Sequence, residues 1–394
     1  MSRTVILSAC RTPIGKFGGG LASLDAVELG GIAIREAIER SGAPASDIEH
    51  VLIGNVVGAG LGMVPSRQAA FRAGLGREVT SDTINRVCGS GMRAVNLADV
   101  LIRAGEHRVI VAGGMESMSN APYLLRGARW GYRMNDGALE DAMIHDGLWD
   151  PIVHVHMGSH GSKVAAEEGV GRREQDEWAL QSHRRAVAAQ NSCYFSSQMV
   201  VVEVRDKKGN VTVVDRDEGP RPDTSIEALS KLRPVFDPEG TVTAGNAPST
   251  NDGAAALVLA SSEYAEAHGL KPLATVISTG NAAWDPPYLA YTPVMAADVA
   301  LKRAGLTSQD MDLIELNEAF ASVAIISTRR LGVDPERVNP NGGAIALGHP
   351  IGASGARVVT ALAHELRRRG GGRGLAAICS GTAQGDAVVI EVDG

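Results

Sequence analysis

Short apolar runs alternate with helix-period stretches along most of this chain. Met1 to Leu7 leads straight into a first strand, and Val109-Ile110-Val111 and Leu375-Ala376-Ala377-Ile378 are further runs of strand length. Ala94, Leu97, Ala98 and Leu101 instead recur at the spacing of one helix face, and so do the apolar positions of Ala361-Leu362-Ala363-His364-Glu365-Leu366. Strand runs interleaved with helical stretches predict an α/β sheet covered by helices.

The pattern occurs twice. Ala37-Ile38-Glu39-Arg40-Ser41-Gly42, followed by Asp47-Ile48-Glu49, lines up with Ala300-Leu301-Lys302-Arg303-Ala304-Gly305, followed by Asp310-Met311-Asp312, at an offset of 263 (Gly42 to Gly305). Ser90-Gly91-Met92-Arg93-Ala94-Val95 meets Ser354-Gly355-Ala356-Arg357-Val358-Val359 at an offset of 264 (Ser90 to Ser354). Two blocks that share an offset over this distance predict two copies of one fold. Between the copies, roughly residues 120–243, the text turns Arg- and Asp-rich and glycine-punctuated, which predicts an inserted loop domain.

Composition narrows the function. The 394 residues exceed one small core, so two or three domains are expected, and 44% hydrophobic content is that of a globular protein. Forty-seven glycines with 4% aromatics predict small-residue helices packed closely on sheets. A formal charge of −7 leaves no basic excess for phosphate backbones, which argues against nucleic-acid binding. No apolar run approaches a membrane span, and Val392-Asp393-Gly394 carries no peroxisomal address, so a cytoplasmic location is expected. Cysteines at 10, 88, 193 and 379 form no Cys-x-x-Cys pair, so free thiols and no structural metal are expected.

Two of those cysteines sit where strand-like runs give way to small residues: Cys88 before Gly89-Ser90-Gly91, and Cys379 after Leu375-Ala376-Ala377-Ile378. The helical period after Cys88 puts a helix N-terminus beside the sulfur. A dipole there lowers a thiol from about 8.5 toward roughly 3.5 to 7.5, which marks Cys88 as a candidate nucleophile; a small buried hydrophobe is the plain alternative. Cys379 reads either as a core cysteine or as an acid/base. His349, between Gly348 and Pro350 in a loop of glycine and alanine, reads as a proton carrier or as an exposed turn residue.

These segments resemble the thiolase family. The resemblance rests on Asn85-Arg86-Val87-Cys88-Gly89-Ser90-Gly91, Ala112-Gly113-Gly114-Met115-Glu116-Ser117-Met118-Ser119, Asn317-Glu318-Ala319-Phe320, the stretch Gly342 to Gly355 around His349, and Cys379. It runs from Arg11 to Gly385. It implies a thiolase-like duplicated α-β-α-β-α layered fold, with residues 1–119 plus 244–270 as the N-terminal half, 120–243 as a loop domain covering coenzyme A, and 271–394 as the C-terminal half.

The resemblance also implies an acetyl-CoA acetyltransferase or 3-ketoacyl-CoA thiolase working through a cysteine acyl-enzyme. Coenzyme A would be substrate and product, with no metal or redox cofactor, and the chain would form a homodimer or homotetramer. Cys88 would carry the acyl group, Cys379 would move the α-proton, and His349 would take the Cys88 proton. Asn317, through a water, and His349 would form one oxyanion hole; the N–H groups of Cys88 and Gly381 would form the other. Leu148, His156, Met157, Arg221, Phe236, Ala244, Ala319 and Phe320 would line the coenzyme A tunnel. Plain readings stand beside these: a helix cap for Asn317, packing for His156 and Met157, a solvated charge for Arg221.

The chain departs from the family pattern in several places. His160-Gly161-Ser162-Lys163 replaces the usual Thr-Ala-Glu-Asn, Pro248 and Ala228 stand at frequent serines, and Thr382-Ala383 replaces a glycine pair. The alternatives are a decarboxylating ketoacyl synthase, which would want a second histidine in place of Asn317 or Cys379, and an acyl-CoA binding protein without turnover.

Overall fold

The computed structural model describes residues 3–394, so Met1 and Ser2 of the expected first strand lie outside the described residues. Nine strands build the main sheet: β1 Thr4–Arg11, β2 His50–Gly54, β3 Thr80–Ile84, β4 Val109–Ser117, β5 Asn251–Ser261, β6 Ala274–Ala283, β7 Leu313–Leu316, β8 Gly372–Ser380 and β9 Gln384–Val392. Their spatial order is β7-β8-β9-β6-β1-β5-β4-β2-β3, and a two-residue strand at Gly15–Lys16 adds to β5.

The order reads the same outward from its middle. In one direction β1 to β5 and β5 to β4 are antiparallel, then β4 to β2 and β2 to β3 are parallel. In the other, β6 to β9 and β9 to β8 are antiparallel and β8 to β7 is parallel. A parallel bridge between Ile314 and Val338 stands where the first half has β3. The halves join through β1 and β6, with Val5 opposite Thr275. The duplication is therefore structural, and its copies differ at one junction. Between β4 and β5 the chain makes a long excursion, whereas β8 and β9 are joined directly by Gly381, Thr382 and Ala383.

The helices that matter for the site are α1 Ala26–Ser41, α2 Ser90–Ala104, α3 Met157–Glu167, α4 Thr292–Ala304 and α5 Ile351–Arg368. A capping box starts α1: Asp25 accepts from the Glu28 N–H at 2.7 Å, and Glu28 accepts from the Asp25 N–H at 3.0 Å. The glycines that revealed the repeat, Gly42 and Gly305, close α1 and α4 with φ of 72° and 68°, a conformation that excludes most side chains. These outer helices cover the sheet from outside.

Between the two halves lie α2 and α5, back to back. A Cβ on Gly91 would come within 2.8 Å of the Ala356 nitrogen, and one on Gly355 within 2.2 Å of the Met92 nitrogen, so only glycine permits this approach. The shared core is Ile6, Leu52, Met92, Val95, Ile110, Val358, Leu362, Ile378 and Ile390. α5 is buried around nearly its whole circumference, as a helix in a middle layer must be. Its buried Arg357 faces Glu315 at 3.5 Å. The N-termini of α2 and α5 are thus held side by side, each behind a loop that carries a reactive group.

Candidate active site

Cys88 precedes α2 in a turn the backbone resists. Val87, a β-branched residue, has φ of +44°. Local bonds hold it there: Asn85 accepts from the Val87 N–H at 3.0 Å, while the Ser90 hydroxyl accepts from the Arg86 N–H at 2.8 Å and donates to the Val87 carbonyl at 2.6 Å. Two further ties cross to the other half. Ser380 donates its hydroxyl to the Arg86 carbonyl, and the Arg86 guanidinium pairs with buried Asp386 at 3.1 Å.

The expected lowering of the Cys88 thiol by the helix dipole is overturned. Burial pushes it up to about 12, against the opposing pull of the N–H groups of Gly381 and of Cys88 itself. Loss of water around the sulfur outweighs the end of α2, so the resting group is a neutral thiol. Those two N–H groups are the pair expected to form an oxyanion hole, and both bear on this sulfur. Cys379, at the end of β8, is buried; desolvation and then Cys88 push its thiol well above the ordinary value.

His349 is buried and held at three points. Its backbone N–H donates to Asn251 Oδ1 at 2.9 Å, and Gly348 before it has φ of 113°, where a Cβ would strike the Asn251 side chain at 2.6 Å. Its Nδ1 lies 2.6 Å from Ser354 Oγ on α5, while Nε2 is buried without a protein partner. Burial and, secondarily, Arg357 push the imidazole down to about 3, so it is a neutral base. The exposed-turn reading is excluded.

These groups open onto one cavity of about 270 Å³. Cys88, His349, Cys379 and Gly381 meet there, and six of the expected tunnel residues, Leu148, His156, Met157, Phe236, Ala319 and Phe320, form its wall. α3 begins at this wall: His156 Nδ1 accepts from the Gly158 N–H at 3.1 Å, and the ring stacks on Phe236 with centroids 4.1 Å apart. Asn317 does not cap the following helix, whose first flanking residue is Phe320. It is buried, and neither its amide oxygen nor its nitrogen has a protein partner.

Two expected wall residues lie elsewhere. Arg221 is on a separate groove with Arg184, its N–H donating to His183 Nδ1 at 3.2 Å. Ala244 is exposed at a turn closed by bonds from Thr243 N to Asn246 and from Gly245 N to Thr243, and it does not line the cavity. Wall residues to which no role had been assigned include Met118, Ile144, Leu289 and Ile351. Ser354 was visible as the repeat partner of Ser90; Asn251 gave no sign of its bond to His349.

Family models agree with this geometry. The thiolase N-terminal domain matches residues 4–263 and the thiolase C-terminal domain residues 270–392. The chain belongs to the thiolase family. Curated relatives match it end to end: acetyl-CoA acetyltransferase of Escherichia coli is 49% identical over 392 residues, 99% of each chain. That of Cupriavidus necator is 48% identical over 391 residues, covering 99% of this chain and all of the relative. A probable acetyl-CoA acyltransferase of Staphylococcus epidermidis is 45% identical over 390 residues, 99% of each.

In this thiolase the departures have structural partners. His160 Nε2 lies 2.8 Å from Asp150, both buried, which ties α3 to the strand preceding the cavity wall. Ser162 accepts from the N–H groups of Thr241 and Val242, each at 3.2 Å, and Lys163 pairs with Glu167 on the exposed face. Thr382 and Ala383 have φ of 60° and 49°, the left-handed region that a glycine pair enters without strain.

Proposed function

We propose that this thiolase is an acetyl-CoA C-acetyltransferase, a 3-ketoacyl-CoA thiolase that joins or splits acyl units in two half-reactions. The observation that carries the reading is the meeting of the half-buried Cys88 thiol, the buried Cys379 thiol and an unpartnered imidazole nitrogen on one apolar cavity. The Cys88 sulfur attacks the acetyl-CoA carbonyl as its proton passes to His349 Nε2. That proton then leaves on the coenzyme A thiol, and the acetyl group remains on Cys88. Because one thioester replaces another, the step changes bond energy little. The acyl-enzyme oxygen faces the N–H groups of Cys88 and Gly381.

In the second half-reaction Cys379 gives its proton to His349 Nε2 and, as the thiolate, removes an α-proton from a second acetyl-CoA. The enolate oxygen is held by His349 and by a water on Asn317, a role supported by the unpartnered, buried Asn317 amide. The carbanion attacks acetyl-Cys88, the carbon–sulfur bond breaks, and the departing Cys88 sulfur takes the proton from His349 Nε2, while Cys379 keeps the α-proton. Thiolysis is the reverse. Every proton in this cycle is carried by thiols and one imidazole, so no metal or redox cofactor takes part in it.

The chain works as a homodimer or homotetramer in the cytoplasm. Self-association is supported by an exposed apolar segment between the paired strands Tyr123–Leu124 and Glu140–Asp141, where Trp130 and Met134 are 85% and 83% exposed. Among the described residues no helix is long and apolar enough to cross a membrane. Intact-protein mass spectrometry after incubation with acetyl-CoA tests the chemistry. One acetyl group is expected on wild type and none on Cys88→Ser; an adduct that persists on the variant would sink the assignment.

A further inference from the structure

Glu116 lies next to the last residue of β4 and is completely buried, yet it belongs to none of the roles above. Its carboxylate is saturated by four donors. Oε1 accepts from Asn55 Nδ2 at 3.0 Å and from the Val57 N–H at 3.1 Å; Oε2 accepts from the Val56 N–H at 3.1 Å and from the Gly352 N–H at 2.9 Å. Gly352 is the second residue of α5, three after His349. A carboxylate at that helix N-terminus also meets the positive end of its dipole. The fit is close enough that a Cβ on Gly352 would come within 2.6 Å of Oε2.

The four donors come from two places that matter to the chemistry. Val56 and Val57 pack with Met118, Ala142 and Ile351 in a small apolar cluster, and Cys88, Val87 and Leu148 rest on it. Gly352 and Ile351 begin the helix whose preceding turn carries His349. One carboxylate therefore clamps the floor beneath the nucleophile to the turn that presents the base. Ser380 makes the corresponding cross-tie on the other side, from the end of β8 to the loop of Cys88.

We infer that Glu116 is a positioning residue for the thiol-to-imidazole proton transfer, holding Cys88 and His349 in register across the junction of the two halves. The inference rests on the acetyltransferase reading. It touches neither substrate nor reacting atom, so its effect lies in the rate of acetyl transfer rather than in coenzyme A affinity. All four of its neighbours are donors, so an amide in its place turns an N–H₂ toward N–H groups and releases one side of the clamp.

The test is single-turnover acetylation of Cys88 together with steady-state kinetics on Glu116→Gln, at a temperature well below the unfolding midpoint of either protein. The expected result is a fall of about 10- to 100-fold in both the acetylation rate and kcat, with KM for acetyl-CoA within about threefold. Adding Asn55→Asp returns a carboxylate to the cluster facing the new amide and should recover part of the loss. An acetylation rate within twofold of wild type overturns the proposal, as does a KM that rises in step with the fall in kcat. If Glu116→Gln does not fold, Glu116→Asp, which keeps the charge on a shorter arm, is judged by the same criteria. Wild type that takes up no acetyl group would instead overturn the acetyltransferase reading itself.

Discussion

His349 Nδ1 and Ser354 Oγ are 2.6 Å apart, and the Ser354 hydroxyl is 3.0 Å from the Pro350 carbonyl. Ser354 has one hydrogen, and Pro350 offers only an acceptor, so the hydroxyl donates to Pro350 and accepts from Nδ1–H. The tautomer follows. Nε2 carries the lone pair, and it faces the cavity of Cys88 and Cys379.

Ser354→Ala should therefore damage catalysis without touching substrate. It strands a buried Nδ1–H, a loss of about 1 to 3 kcal/mol, and frees the ring to adopt the other tautomer. If that energy falls on the acylation step, kcat drops roughly 5- to 150-fold with KM little changed. A variant with wild-type kcat would show that the ring is oriented by its packing alone.

The neutral resting state of Cys88 predicts a spectroscopic silence. With the folded thiol pushed up to about 12 and His349 down to about 3, neither group is charged at neutral pH. The ultraviolet thiolate absorbance of wild type minus Cys88→Ser should show no titration step between about pH 6 and pH 9. A step centred anywhere in roughly pH 3.5 to 7.5 would instead establish a preformed thiolate–imidazolium pair.

Cys379→Ala separates the half-reactions. Acetylation of Cys88 should survive, because the nucleophile and its base remain, while condensation and thiolysis fall by about 10² to 10⁴, the usual effect of a positioned acid or base. Mass spectrometry reads the first and steady-state assay the second. Near-normal turnover would return Cys379 to the role of a core cysteine.

Cys88, His349 and Cys379 were legible because each stands alone among small residues, where little else nearby can do chemistry. The doubled fold was legible because Gly42 and Gly305 do the same work in α1 and α4. What escaped was tertiary. The dipole at the start of α2 can be read from a few neighbouring residues, but the desolvation that overrides it comes from walls contributed by distant segments, such as Met118, Leu148 and Ile351. Asn251 holds the His349 backbone across 98 residues of chain, and no local pattern announces such a bond. Arg221 and Ala244 do not line this cavity, because alignment with a motif fixes a position in the chain while the surrounding fold decides where it lies.

The last prediction concerns the two serine positions that this chain has lost, which the fold separates. Pro248 lines the catalytic cavity, whereas Ala228 sits exposed on the short helix Ile226–Ser230 and is absent from the cavity wall. Proline there contributes neither an N–H nor a hydroxyl. Pro248→Ser adds both to the cavity wall, and one hydrogen bond from there to coenzyme A would be worth about 0.5 to 1.5 kcal/mol net, so KM for coenzyme A should fall about two- to tenfold. The turnover number should hold, because the contact is alike in ground and transition states. Ala228→Ser should change either constant by less than about twofold, since a hydroxyl that stays hydrated gains little from a new partner. Titration of coenzyme A in the thiolysis assay, run on both single variants and the double, decides the matter. An unchanged KM in Pro248→Ser would mean that pantetheine is held by other groups, with Ser249, which donates to Asn251 Oδ1 at 3.0 Å, the first to replace.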